Sequence, residues 1–469
     1  MTVNPRGDKA EGSQVKSCRS NALESKMQEV PTLPKLAVSL EVIAEESNLR
    51  AAFEEVRKNK GAPGVDRQSV NEVQIKLERI IPELKLQLLE EKYRPGEIRR
   101  VWIPKGKREK RGLGIPNVID RIVQQAVNRK LQVEYDREFC ESSHGFRPGR
   151  SCHTAIAEAK SYIEEGYSWV VDMDLEKFFD KVNHDRLMSR LKQRIEDKKL
   201  LRLINTMLKA KIVLTDGVKV ANEEGVPQGG PLSPLLSNIV LDELDKELRR
   251  RGHKFVRYAD DCNIYVKSER AGKRVLESIS RFIEKKLKLK VNQEKSAVSK
   301  PEKRHFLGFS LGRNKRTGKV EIKLSLRTRE RIANKIVELT PRNWGQSLDD
   351  CIKKLNTYLE GWMGYFRICT ASEQRQLKRY DSHIRRRLRA IKLKHWKRKR
   401  NIARALVSLG VRRKLAWGQI YHGKQSLWKL SHVAAVEIGL KNSFFENLGL
   451  KSLELLWDYH HFKELTVHR

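Results

Sequence analysis

Two short acidic segments of the chain have the residue types and the order that metal-dependent phosphoryl transfer requires. Asp172 and Asp174 alternate with apolar residues in SWVVDMD, and Asp260 and Asp261 lie between apolar arms in FVRYADDCNIYV. Transfer of a phosphoryl group to a hydroxyl uses two magnesium ions about 3.5–4 Å apart, and such hard cations prefer carboxylate oxygens. An Asp-Asp pair in a turn is more often a solvated loop. The two segments in this order nevertheless predict a site for two Mg²⁺ ions.

The elements that must position these acids are predicted to be strands. In residues 168–174 the apolar side chains point one way, so Asp172 and Asp174 share the opposite face at the strand end. Residues 255–266 have the pattern of a β-hairpin with acids at its tip. Residues 99–115 follow the pattern strand, basic turn, strand, which predicts a second hairpin.

The rest of the chain divides into a leader, a mixed region and a helical region. Residues 1–35 contain proline, glycine and mixed charges without an apolar stretch, which predicts a flexible leader rather than a secretory signal. Ordered structure is expected from Leu36, with a loop at residues 59–66. After Gly318 the strand signals fade, and the SLDD sequence of residues 347–350 predicts a capping box that opens a helix.

The charge of the chain indicates a polyanionic partner. Its 469 residues include 97 Lys and Arg against 59 Asp and Glu, a formal net charge of +38, which favours nucleic acid. An anionic membrane is the alternative, but the basic residues are spread over the whole chain and no apolar run of at least about 18 residues is present. The six cysteines form no Cys-x-x-Cys pair, so a reducing, cytoplasmic environment is predicted.

Several motifs resemble those of group II intron reverse transcriptases with maturase function. YADD at residues 258–261 resembles the polymerase hairpin, VVDMDLEKFFDKVNHD at residues 170–185 the first acidic motif, and GVPQGGPLSPLLSNIVLDELD at residues 225–245 the nucleotide-pocket motif. Further similar segments in family order are YRPGEIRRVWIPK, LGIPNVIDRIVQQA, SSHGFRPGRS, LKLKVNQEKS, FLGFS and GWMGYF. The similarity extends from Ala52 to the C terminus.

This resemblance implies an α/β fold of the right-hand polymerase type. Fingers and palm with an antiparallel sheet are expected in residues 36–317, followed by an all-helical thumb or maturase domain in residues 318–423. Residues 424–469 are expected to form a short DNA-binding tail, because the chain has neither the length nor the cysteine pairs of an HNH endonuclease domain. The implied partners are the intron RNA, a DNA target or primer, and deoxynucleoside triphosphates.

The resemblance also distinguishes the acids. The metal-binding Asp of the family stands five residues before an aromatic residue that crowds the sugar 2′ position, which fits Asp174 with Phe179. Asp172 would be paired with Lys177, so Asp172 is interpreted as a structural or supporting residue. The implied metal ligands are Asp174, the main-chain carbonyl of Leu175, Asp260 and Asp261, of which the three aspartates form the catalytic triad.

Further residues are expected to bind the nucleotide and the primer. Positive charge is needed because the charge of the triphosphate exceeds what two metal ions neutralise. The implied nucleotide-binding residues are Lys105, Arg111, Phe179, Gln228 and Lys295. The other basic residues of KGKREKR are equally compatible with solvated surface. FLGF resembles the primer grip, with Phe306, Leu307 and Gly308, whereas the alternative for its phenylalanines is an ordinary core strand.

A basic helix is predicted in the helical region. Ten of the eighteen residues from 383 to 400 are Lys or Arg and none is acidic, while an apolar stripe continues on one side. A solvated helix face usually mixes both signs of charge, so phosphate binding is favoured here. The residues expected to bind RNA are Arg385, Arg386, Arg389, Lys397 and Arg398.

Two other functions fit parts of the sequence. An RNA-binding splicing cofactor would carry a vestigial polymerase site, but the three acids, Lys105, Arg111 and Gln228 are all present. A reverse transcriptase of a retron or defence system would share the polymerase motifs, but the GWMGYF-bearing domain disfavours it.

Overall fold

The computed structural model describes residues 34–105, 109–341, 345 and 347–467, and of residues 105, 109 and 462–467 it describes the backbone alone. The predicted flexible leader therefore lies almost wholly outside the described residues. Leu36 is buried, and its backbone N–H donates to Arg194 O at 2.8 Å. Ordered structure is thus present at the residue where it was expected to begin.

Five helices and one hairpin form the first part of the described chain: α1 (Leu40–Ile43), α2 (Glu46–Lys58), α3 (Val70–Ile75), α4 (Leu77–Leu89), β1 (Ile98–Lys105), β2 (Glu109–Ile115) and α5 (Val118–Asp136). β1 and β2 are antiparallel, with Ile103 opposite Arg111, so the hairpin predicted at residues 99–115 is present. α2 buries Phe53 on the apolar face that packs against α5, because apolar residues recur there at helical spacing.

Helices and strands alternate in the second part: α6 (Cys152–Glu164), β3 (Trp169–Met173), α7 (Phe178–Lys181), α8 (His184–Arg194), α9 (Lys198–Leu208), β4 (Ile212–Val213), β5 (Lys219–Val220), α10 (Ser233–Arg250), β6 (Lys254–Tyr258), β7 (Asp261–Val266), α11 (Glu269–Phe282) and β8 (Ala297–Ser299). The central sheet has the order β6-β7-β3-β8, and every neighbouring pair is antiparallel. A second sheet, β2-β1-β4-β5, joins the first hairpin to this region. A π-helical turn, Ile283–Leu287, continues α11.

A hairpin and nine helices complete the described chain: β9 (Phe309–Arg313), β10 (Val320–Leu324), α12 (Leu326–Leu339), α13 (Leu348–Phe366), α14 (Gln374–His395), α15 (Lys399–Ser408), α16 (Arg413–Tyr421), α17 (Leu427–Leu430), α18 (Ala434–Gly439), α19 (Asn442–Asn447) and α20 (Leu453–Val467). The region after Gly318 is therefore helical except for β10, which pairs with β9 across the expected domain boundary. Ser347 caps α13 as predicted, since its Oγ accepts from Asp350 N at 3.1 Å.

The apolar residues form two cores. One lies within residues 36–291, and the other joins α6 and the β9–β10 hairpin to the C-terminal helices. Residues expected to belong to a separate tail are buried in this second core, among them Phe445, Leu453 and Trp457. Trp457 Nε1 also donates to Cys369 O at 3.0 Å. The described residues of this segment up to Trp457 are therefore packed into the helical domain.

Within the described part of the chain, no helix combines the length and the apolar character needed to cross a bilayer.

Candidate active site

The two acidic segments meet at one edge of the central sheet. β3 and β7 are antiparallel, and their register pairs Met173 with Cys262. The next residue at each strand end is an acid, so Asp174 and Asp261 lie next to each other at this edge. The strand-end acid and the hairpin acids that the sequence patterns predicted are therefore brought together by the sheet register.

The tip of the β6–β7 hairpin is a two-residue turn. Tyr258 pairs with Asp261, which leaves Ala259 and Asp260 as the central residues. Ala259 has φ +56°, a left-handed conformation that residues with a side chain rarely adopt and that is concentrated at functional sites. Gly145 packs against this turn, because a Cβ atom there would lie 2.2 Å from Ala259 N. Surrounding contacts must therefore hold the turn.

A buried ion pair supports the turn. Arg257 and Asp245 have fully buried side chains, and Arg257 Nε lies 2.7 Å from Asp245 Oδ1. Burial lowers the pKa of Arg257, but the charge of Asp245 offsets this effect and the pKa remains raised. Arg257 Nη1 donates to Ala259 O at 2.8 Å, and Nη2 donates to Ser143 Oγ at 2.7 Å. The guanidinium thus links the acid-bearing turn to two other segments of the chain.

Sequence patterns alone assign no role to the residues of this support. Arg257 directly precedes YADD, Gly145 belongs to SSHGFRPGRS, and Asn238 belongs to the nucleotide-pocket motif. Asn238 Oδ1 accepts from Arg257 at 3.0 Å, and Asn238 Nδ2 donates to Gly145 O at 2.9 Å. The similarity of their motifs to those of the family was the only sequence signal for these residues. Their contacts join segments that are distant along the chain, so only the folded structure reveals them.

Asp174 is placed by the loop that precedes β8. Its backbone N–H donates to Ser296 Oγ at 3.0 Å, and its carbonyl accepts from Asn292 N at 2.8 Å. Leu175 forms an antiparallel bridge with Val291 in which the flanking residues make the hydrogen bonds. The N–H and C=O of Leu175 therefore point away from Val291, toward the side of β7.

Asp172 has a different environment. Arg304 Nε donates to Asp172 Oδ2 at 2.8 Å, and the pair is partly buried. Burial raises the pKa of Asp172, Arg304 opposes this effect, and the nearby charge of Asp174 adds to it. Because Asp172 is paired with Arg304, it is suited to a structural or supporting role beside Asp174, which is the role that the sequence analysis expected.

Two of the predicted nucleotide-binding residues are in direct contact. Arg111 Nε donates to Gln228 Oε1 at 2.7 Å, so the β1–β2 hairpin meets the PQGG loop. The backbones of the same elements are joined by Gly114 N, which donates to Gln228 O at 2.7 Å. Gly229 has φ +128°, and a Cβ atom there would lie 2.4 Å from Gly114 O, so this approach requires glycine. The side chain of Lys105 lies outside the described residues.

Phe179 lies in α7, and Lys295 lies in the loop that precedes β8. The Phe179 side chain in α7 is buried except for a small exposed part, and its carbonyl accepts from Val226 N at 2.6 Å. That hydrogen bond connects α7 to the segment that leads into the PQGG loop. Lys295 is exposed and directly precedes Ser296, the residue that binds the backbone of Asp174.

The FLGF segment is a tight turn rather than a continuous strand. Phe306 and Phe309 bridge each other and are buried in the second core, and Leu307 and Gly308 connect them with φ +50° and +90°. Thr328 Oγ1 donates to Gly308 O at 2.7 Å. The phenylalanines are thus core residues, as the alternative reading of the sequence proposed, while the two residues between them form a turn.

Comparison with known proteins shows two family matches in this order along the chain. Residues 103–311 match the family described as reverse transcriptase (RNA-dependent DNA polymerase), and residues 329–407 match the group II intron maturase-specific domain. Protein YkfC of Escherichia coli (strain K12) is 33% identical, over 67% of this chain and 93% of that protein. The chain belongs to the group II intron reverse transcriptase and maturase family.

Other relatives of this group II intron reverse transcriptase are longer than the matched region. The group II intron-encoded protein LtrA of Lactococcus lactis subsp. cremoris is 31% identical, over 61% of this chain and 58% of LtrA. The putative COX1/OXI3 intron 2 protein of Saccharomyces cerevisiae is 31% identical, over 46% of this chain and 32% of that protein. The chain thus spans little more than half the length of LtrA.

The predicted RNA-binding residues of the reverse transcriptase differ in burial and in their contacts. Arg389 is buried, donates to Leu440 O at 3.0 Å and pairs with Glu437 at 3.3 Å. This arginine is used within the protein, so we correct the expectation that it binds RNA. Arg386 stacks on the Trp428 ring, with its guanidinium carbon 4.1 Å from the ring centroid. The other three predicted residues are partly or fully exposed, namely Arg385, Lys397 and Arg398.

The donor set at the acidic edge suits magnesium only in part. In the described ranges, no three His, Cys, Asp or Glu side chains lie close enough together to hold a metal ion by themselves. Magnesium in phosphoryl-transfer sites is usually held by one or two carboxylates together with substrate phosphates and water. Asp174, Asp261 and the Leu175 carbonyl fit that arrangement, in which the bound nucleotide completes the coordination.

Proposed function

We propose that this group II intron reverse transcriptase copies RNA into DNA by adding deoxynucleotides to a primer. The observation that carries the proposal is the sheet edge at which Asp174 and Asp261 meet beside the turn that bears Asp260. Carboxylates grouped in this way hold the divalent ions of nucleotidyl transfer. The buried pair of Arg257 and Asp245 further supports it, because a solvated loop needs no such anchoring.

The chemistry follows from the residues that surround this edge. Two Mg²⁺ ions held by the three acids and the Leu175 carbonyl would supply activation of the primer hydroxyl and neutralise charge on the triphosphate. Arg111, which Gln228 orients, binds the phosphates of the nucleotide together with Lys105. Phe179 closes the pocket beside the sugar, and Lys295 lies near the departing pyrophosphate. Residues 306–308 contact the primer.

The proposed second activity is binding of the intron RNA for splicing and mobility. A net charge of +38 provides the attraction for phosphates, and the exposed basic residues of the helical domain supply contacts. The residues proposed to bind RNA are Arg385, Arg386, Lys397 and Arg398. The DNA target is proposed to contact the segment 424–469.

The experiment that tests both activities is a double substitution in the turn. Asp260→Ala with Asp261→Ala is expected to lower DNA synthesis by several powers of ten, because the ligands that stabilise charge in the transition state are lost. Splicing of the cognate intron at low magnesium should remain nearly intact, since RNA binding uses other residues. Primer extension and splicing are measured on the same preparation.

The matched control is Glu277→Ala with Glu284→Ala. These two acids are exposed in α11 and the π-helical turn after it, and their removal changes the net charge by the same amount. Retained DNA synthesis in the Asp260 and Asp261 variant would refute the proposed active site. Loss of both activities in a folded variant that still binds RNA would refute the separation of the two functions.

A further inference from the structure

The turn of residues 306–309 is held by the helical domain. Tyr365, in the last turn of α13, donates a hydrogen bond from its hydroxyl to Leu307 O at 2.8 Å. Thr328 at the start of α12 donates to Gly308 O at 2.7 Å. Both central carbonyls of the turn are therefore bonded to side chains of thumb helices.

This turn depends on such contacts. Leu307 has φ +50°, in the left-handed region that residues with a side chain disfavour. Gly308 has φ +90°, and a Cβ atom there would lie 3.0 Å from the Phe366 ring. A backbone conformation of this kind persists where the surrounding structure enforces it. The hydroxyl of Tyr365 is one of the groups that enforce it.

Tyr365 is itself held in place from the palm. Its ring stacks on Phe309 with centroids 5.7 Å apart and meets Phe366 edge to face at 4.8 Å. His153 Nε2, in α6, donates to Tyr365 O at 2.7 Å. Because both the ring and the backbone of Tyr365 are fixed, the hydroxyl needs little reorganisation to bond the Leu307 carbonyl.

The same tyrosine lies close to the acid-bearing hairpin. Tyr258, which closes the turn that bears Asp260, packs against the same core as Tyr365. Burial raises the pKa of the Tyr365 hydroxyl, which stays a hydrogen-bond donor at neutral pH. The contacts of Tyr365 thus span the thumb, the FLGF turn and the surroundings of the catalytic hairpin.

We propose that Tyr365 is a positioning residue for primer extension, which holds the Leu307 carbonyl and so fixes the turn that aligns the primer end with the acids. The inference rests on the proposed function, in which residues 306–308 contact the primer. Tyr365 does not touch the reacting atoms in this role. Its hydroxyl acts through the backbone of Leu307.

The test is Tyr365→Phe, with Tyr358→Phe as the matched control. Tyr358 lies in the same helix and is also half-buried, and its hydroxyl has no hydrogen-bond partner among the described residues. We expect Tyr365→Phe to lower the single-turnover extension rate about five-fold, the effect of one neutral hydrogen bond. The dissociation constant of the primer–template duplex should stay unchanged, because phosphate contacts dominate it. Tyr358→Phe should match the wild type in both measurements.

A second measurement reports the order of the primer end without nucleotide addition. With Ca²⁺ in place of Mg²⁺ and 2-aminopurine as the terminal primer base, the Tyr365→Phe complex should fluoresce more strongly, because the primer end is less ordered. Unchanged rate and fluorescence in the folded variant would overturn the inference, as would an equal loss of rate and duplex affinity. If Tyr365→Phe does not fold, Thr328→Val decides, because it removes the donor to Gly308 and should lower the rate in the same way.

The two proposals fail in different ways. A wild-type protein that extends no primer would refute the proposed function, while the fluorescence comparison in Ca²⁺ would still report whether Tyr365 orders the primer end.

Discussion

Replacement of Arg257 by methionine tests whether the buried ion pair holds the acid-bearing turn. Arg257→Met keeps most of the side-chain volume but leaves Asp245 buried without its partner. Removal of one member of a buried pair costs about 3–5 kcal/mol, because an uncompensated charge remains. The substitution also removes the donor that lies 2.8 Å from Ala259 O. We therefore expect both a lower free energy of unfolding and slower DNA synthesis.

A second substitution separates these two effects. Arg257→Met with Asp245→Leu removes both charges, and neutral replacement of a buried pair often carries no net cost. We expect the double variant to regain most of the free energy of unfolding, measured by urea titration with tryptophan fluorescence. DNA synthesis should remain slow, because the Ala259 carbonyl still lacks its donor. Primer extension is measured under the same conditions.

The pH dependence gives an independent check of the single variant. An unpartnered buried carboxyl has a raised pKa in the folded state, so folding is favoured when the carboxyl is protonated and disfavoured as the pH rises. The destabilisation by Arg257→Met should therefore shrink as the pH is lowered. Arg250→Met is the control, since the Arg250 side chain is exposed and its partner Glu247 keeps a second pair with Arg251, so this loss should leave the free energy of unfolding nearly unchanged.

Two results would refute this reasoning. A double variant that regains both its free energy of unfolding and wild-type DNA synthesis would show that Arg257 does not position the turn. A single variant as stable as the wild type at neutral pH would show that Asp245 needs no partner.

Two further substitutions test the nucleotide pocket and the basic helix region. Phe179→Ala should relax discrimination against ribonucleotides, because loss of the ring opens space for a 2′-hydroxyl; an unchanged ratio of kcat/KM for deoxynucleotides and ribonucleotides would exclude Phe179 as the gate. Lys397→Glu with Arg398→Glu should weaken RNA binding and flatten its salt dependence by about 0.7–0.9 in log–log slope per lost phosphate contact. Wild-type affinity and slope in a filter-binding titration, compared with the same reversals at the exposed Lys273 and Arg274, would mean that this surface is only solvated.

The acids were predictable because their placement is local. Alternation with period two puts Asp172 in β3 and Asp174 directly after it on the same face, and the apolar arms around Ala-Asp-Asp specify the β6–β7 hairpin. The remaining step, that the two elements are neighbours in one sheet, came from the resemblance to a family. The strand β10 was missed in the sequence analysis, although its signal is local, since Val320, Ile322 and Leu324 alternate with polar residues and are buried.

Other features were not predictable because they depend on packing between distant segments. Helical spacing placed Arg389 near the border of the apolar stripe of α14, but it did not reveal that α18 and the residue after it cover this position. The distant partners of Arg257 come from two other segments of the chain, and a pattern within one segment contains no information about them. The same limit applies to Tyr365 and Leu307.

The second core has a consequence for the order in which the protein is assembled during translation. Ala155 in α6 and Trp457 in α20 are the first and last buried members of that core along the chain, so they leave the ribosome far apart in time. Until the C-terminal helices emerge, α6 in the nascent palm lacks the cover for its apolar face. Contacts of such long sequence separation form slowly and leave apolar surface open to aggregation. Synthesis that stops before Leu453 would therefore release a chain with this surface exposed, a substrate for chaperones or proteases.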